Sequence, residues 1–271
     1  MFFIKVAKFL FRLFILIMYD VSKMAKLKYS IIKGSVQKRD TQAENLSKAF
    51  YRNFVKKISG DRISLSSLKD VFIKTVPERV GISFLSMGKN ESDYDGFMST
   101  MIRGKNKKVC GYQVYLPTDE SGKNLKVENA NVLFHEVRHV FDSLVHPKAI
   151  RRQNYISPNL QAFYDNTIYV SEKIKIGEMK AKIEGIIKGL STEEKIDFLQ
   201  FCKNELSTEI NAFTNEKLYS KLRKTFKNLK LKTKRFDDVE YFHLKDRLKL
   251  IKKILKYELS LARAENKKLY G

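Results

Sequence analysis

His135-Glu136-Val137-Arg138-His139 lies inside an apolar-periodic stretch, residues 127–145, and this combination constrains the chain more than any other feature. The periodicity calls for a helix. On a helix, positions i and i+4 share one face, so both imidazoles can grip one metal ion while Glu136 leans toward the same place. An H-E-x-x-H pattern should arise by chance in roughly one random chain in a few hundred of this composition. The plainer alternative is a surface helix that carries the pattern with Glu136 and Arg138 turned to water. Val132, Leu133, Val137, Val140, Phe141 and Leu144 argue against it, because they would sink the helix into a core.

The chain has 271 residues, 43% of them hydrophobic, enough for a sizeable core in one large domain or two small ones. Only four Pro and 12 Gly, among long Lys/Glu/Leu/Ile stretches, point to a mainly helical protein and exclude disorder over most of its length. Cys110 and Cys202 are far apart and form no C-x-x-C pair, so neither a disulfide framework nor a cysteine zinc site is indicated; two buried thiols are the expectation, and a single disulfide stays open. The net charge of +23 implies attraction to something anionic, such as a phospholipid surface, a cell-wall polymer or nucleic acid. Between Lys217 and Gly271, 18 basic residues face 6 acidic ones, so about half of the excess sits there. A solvated helical face is the plainer reading of such a run. Nucleic acid is the weaker partner, because no recognition motif is present and Phe226, Phe236, Tyr241 and Tyr257 suit a core better than base stacking.

Residues 1–19 are apolar except for Lys5, Lys8 and Arg12. Arg12 leaves too short an uncharged run to span a bilayer, and the three cations recur at helical spacing. A signal-like export segment, a helix on a membrane or partner, and an ordinary packed helix all remain open, so exported, membrane-associated and virion-associated locations do too. After a polar stretch at 33–40, a capping box from Thr41 to Glu44 opens a helix ending at Ser59, where Gly60-Asp61 stops it. Segments 71–76, 81–87, 96–103 and 109–116 are short, rich in β-branched and aromatic residues and bounded by turn formers, which predicts a small, largely antiparallel sheet. Helical patterns follow the pentad at 158–188, from Ser191-Thr192-Glu193-Glu194 onward, and at 239–267. The expected fold is therefore α+β and mainly helical. A small antiparallel-rich sheet packs on the pentad helix, and further helices follow toward the C-terminus. Three segments are expected: an N-terminal helical one at 1–60, a catalytic domain at 61–220 and a basic helical extension at 221–271.

A catalytic zinc site usually takes three protein ligands and leaves the fourth position to water. Asp142, Glu205, Glu209 and Glu216 are the candidates for the third. Asp142 follows His139 on the same helix and suits an outer role, holding a ligand imidazole, or an ordinary face charge. Glu209 is followed three residues later by Ala212, small enough to let helices approach, and Glu205 one turn earlier is its rival. The pentad followed by Glu209 in a Glu-x-x-Ala setting resembles the gluzincin branch of the zincin metallopeptidases, especially its minimal-scaffold members. The resemblance covers about 82–220, and the pentad is its specific part. It implies a Zn2+ ion on His135, His139 and Glu209, with Glu136 as general base. It also implies an edge strand before the metal helix that pairs with an extended protein or peptide substrate through Gly111, Tyr112, Gln113, Val114 and Tyr115. For the donor that stabilises the oxyanion, His146, Tyr155, Tyr219 and His243 stay open.

The expected function is thus hydrolysis of peptide bonds by a zinc metallopeptidase. The competing expectation is a basic nucleic-acid- or membrane-associated structural protein, for example a virion or secretion component, whose zincin domain is accessory or inactive.

Overall fold

The structure, a computed structural model, describes residues 36–76, 80–87, 97–103, 108–145, 156–169, 174–225 and 238–270. The apolar segment at 1–19 lies outside the described residues. Those described through Val145 form one compact unit and those beyond it a second. The protein is mainly helical, with two small sheets. Among the described residues no helix is long and apolar enough to cross a membrane.

The first unit opens with α1 (Val36–Val55), which begins ahead of the expected cap at Thr41 and ends four residues before Ser59. Its buried stripe, Ala43, Ser47, Phe50 and Phe54, recurs at helical spacing. Gly60, at φ 62°, turns the chain into β1 (Arg62–Ser64), which pairs antiparallel with β5 (Asn124–Lys126). Ser64 then caps α2 (Leu65–Thr75), its Oγ accepting from the Ser67 amide at 3.1 Å. The expected strand at 71–76 is therefore a helix over most of its length. Leu68, Val71, Phe72 and Thr75 are buried at the 3–4 spacing of one helical face, and that period outweighs the local β-branched content.

Strands β2 (Gly81–Ser86), β3 (Phe97–Arg103) and β4 (Lys108–Leu116) form the larger sheet in the order β2-β4-β3. The sheet is mixed rather than largely antiparallel, because β2 runs parallel to β4. Burial explains the pairing: Ile82 and Phe84 register against Tyr112 and Val114, and all four are enclosed on one face. Pairing of β3 with β4 passes from Met101–Gly111 to Ile102–Val109, which leaves Cys110 as an extra residue on β4. There Cys110 is exposed, against the expectation of two buried thiols; Cys202 is buried, and both are free.

After a single 3-10 turn, Val127–Asn129, comes α3 (Ala130–Val145), the pentad helix. It packs against α1 and on β3 and β4. Phe134 meets Phe50 and Phe54 edge-on at 6.3 and 5.4 Å, and Phe141 stacks on Phe72 at 5.9 Å. Pairs of this kind add about 0.5–1.5 kcal/mol beyond the area they bury.

The second unit holds α4 (Pro158–Phe163), a π-helical turn (Tyr164–Tyr169), α5 (Ile176–Lys188), α6 (Thr192–Thr225) and α7 (Asp238–Tyr270). The single helix expected at 158–188 is thus interrupted. Asn166, Thr167 and Ile168 are weak helix formers, and the backbone is extended at Lys175 before α5 begins. The capping box that opens α6 is present: Ser191 N donates to Glu194 Oε2 at 2.9 Å, and Glu194 N donates to Ser191 Oγ at 3.3 Å. Met179, Ile183, Phe198, Leu206, Leu244 and Ile251 centre the core of this unit, so α7 is held by its own apolar face.

Candidate metal centre

Between Val132 and Val145 every residue of α3 is buried except His135, His139 and Leu144. Packing on α1, β3 and β4 encloses most of its surface and leaves the two imidazoles partly open. Their ring centroids stand 4.9 Å apart at an interplanar angle of 71°. The i, i+4 geometry thus delivers both rings to one place. Glu136 and Arg138 are 7% and 6% exposed, which overturns the surface-helix alternative, in which both would face water.

A buried guanidinium needs a partner, and Asp142 supplies it one turn along: Arg138 Nε donates to Asp142 Oδ1 at 3.0 Å. Asp142 is itself 6% exposed, so it is no solvent-facing helix charge. The bond it shows is to Arg138.

On α6, Glu205, Glu209 and Glu216 are all partly open, as His135 and His139 are on α3. Ala212, one turn beyond Glu209, is fully buried. Zinc takes nitrogen and oxygen donors at about 2.0–2.2 Å, which spaces tetrahedral ligands roughly 3.4 Å apart. Two imidazoles with centroids 4.9 Å apart offer nitrogen donors of the kind such an ion takes.

Sequence reasoning missed the residue beside Glu209. Tyr169 donates its hydroxyl proton to Glu209 Oε2 at 3.3 Å. Nothing in the local pattern marks Tyr169, because its placement depends on a π-helical turn inside a segment that reads as plain helix. Tyr164, at the start of that turn, is 4% exposed, and its hydroxyl has no hydrogen-bond partner. Burial pushes its phenol well above the ordinary range, and the nearby carboxylates of Glu205 and Glu209 push it further.

The substrate strand expected at Gly111, Tyr112, Gln113, Val114 and Tyr115 is corrected by the sheet order. These residues lie on β4, the central strand, paired on one side with β2 and on the other with β3. Their backbone groups serve the ladders, so no edge is left for an extended peptide. Their side chains also serve the fold: the Tyr112 hydroxyl pairs with Ser143 Oγ of α3 at 2.9 Å, and Val114 is fully buried. Among the candidates for an oxyanion donor, His146 and Tyr155 lie outside the described residues, as does the side chain of Tyr219. His243 is partly exposed on α7. Comparison with family models, curated proteins and solved structures finds no match.

Proposed function

We propose that the protein is a zinc-dependent metallopeptidase of gluzincin type, with zinc held by His135, His139 and Glu209. The observation that carries the reading is the opening on α3: a helix enclosed over most of its length keeps the two histidines of the pentad partly open, side by side on one face. Zinc bound there would acidify a water and polarise a substrate carbonyl, chemistry that the side chains alone do not supply. Glu136 accepts the proton of the attacking water and returns it to the departing amine. Glu136 is enclosed, so its carboxylate meets little bulk water. Arg138, paired with Asp142, braces the same turn without using the ligand face.

The outward side of α7 carries exposed Lys249, Lys252, Lys253 and Lys256, which supports an anionic surface as a secondary partner.

The test is metal content and peptide cleavage in the purified full-length chain, assayed with a mixed-sequence peptide library. Zinc at one equivalent, with Glu136→Gln keeping the metal and losing cleavage, is the expected result. Cleavage by Glu136→Gln at the wild-type rate would overturn the general base, and a wild-type protein without zinc affinity would overturn the reading itself.

A further inference from the structure

We infer that Tyr169 and Arg247 position Glu209 for the metal, so that α7 is a working part of the centre rather than only a basic appendage. The inference rests on the metallopeptidase reading above.

A free glutamate loses up to about 2 kcal/mol of rotamer entropy when its carboxylate is ordered. The Tyr169 hydroxyl, 3.3 Å from Oε2, meets part of that cost before the metal arrives. The hydroxyl must itself be held, and three features hold it. The π-helical turn is the first. In an α-helix, residues five apart point about 140° away from each other. The wider turn instead brings Tyr164 and Tyr169 into one stack, with centroids 6.2 Å apart and 20° between the planes. Tyr164 in turn meets Phe201 of α6 edge-on at 5.2 Å. The third is Arg247, on the buried face of α7 and 3% exposed. Its Nη1 donates to the carbonyl oxygen of Tyr169 at 2.5 Å. That carbonyl closes a helical segment, where last-turn carbonyls lack an intrahelical donor, and a charged donor supplies a strong substitute. The chain of support therefore runs from Arg247 through the backbone of Tyr169 to its hydroxyl and on to Glu209.

Tyr169→Phe is the sharp test, because it keeps the ring and its stack and deletes only the donor. Zinc affinity of the full-length protein should fall about 10–100-fold, the usual cost of losing an outer partner of a metal ligand. The visible absorption of the Co2+-substituted protein should change as well, while the thermal midpoint of the metal-free protein stays put. Arg247→Met should weaken zinc in the same way, and Arg247→Lys, which restores a donor, should recover most of the loss. If Arg247→Met does not fold, Tyr169→Phe decides alone. Wild-type zinc affinity in Tyr169→Phe would overturn this inference and leave the metal centre standing. An affinity loss that merely follows a fall in thermal midpoint would also overturn it. A wild-type chain that binds no zinc would overturn both this inference and the reading beneath it.

Discussion

Asp142 accepts from Arg138 Nε at 3.0 Å across one turn of α3, and each side chain is only 7% exposed. Removing one member breaks a buried ion pair, so Asp142→Ala or Arg138→Ala should cost about 3–5 kcal/mol. Replacing both together with apolar residues of similar volume, such as Arg138→Met with Asp142→Leu, should be close to neutral or stabilising. Urea denaturation of the two single variants and the double variant reads the difference. Equal losses in the single and double variants would contradict it.

The carboxylates of α6 should separate cleanly. Glu209→Gln should weaken zinc by more than the roughly 10–100-fold that an outer partner costs, while Glu205→Gln leaves affinity near wild type. Competition against a chromophoric chelator measures both, and a larger loss in Glu205→Gln would move the third ligand one turn earlier.

Acid stability should depend on Asp119. Hydrogen bonds from Ser121 and then Asn124 hold its carboxyl down to about 2, from an ordinary 3.8. A folded-state value below the unfolded one means that the stabilisation is complete above the unfolded value and disappears as pH falls through about 2. Asp119→Asn should therefore be less stable than wild type at neutral pH, and the two should converge as pH falls from about 4 toward 2. Denaturation midpoints compared across that range would show no convergence if the depressed carboxyl contributed nothing.

Phe134 is fully buried and touches Phe50, Tyr51 and Phe54, so Phe134→Ala should cost about 3–5 kcal/mol. The measurement is the thermal midpoint together with denaturant unfolding. A cost below 1 kcal/mol would mean that α1 does not pack on α3 in solution.

The pentad helix, the strands at 81–87 and 109–116 and the Ser191 capping box were legible because each is written in short-range pattern: apolar period, turn residues and a cap. Glu209 is marked in the sequence only by its spacing to Ala212. What could not be read depends on partners distant in sequence. Segment 71–76 looks like a strand until Ser64 caps a helix around it. The resemblance makes β4 an edge, whereas Ile82 and Phe84 pair beside Tyr112 and Val114 and close its second side. Tyr169 carries no local mark, since the π-helical turn that aims it and the Arg247 that holds it come from tertiary context.

The opening on α3 also determines how a substitution map of this helix would read. Polar or bulky replacements at the enclosed positions would fail for want of room whatever their chemistry, so intolerance at Glu136 would look like intolerance at Val137. The partly open histidines invert that logic, because side chains of many shapes have space at His135 and His139. A strict requirement for imidazole at those two sites would therefore report ligation rather than packing.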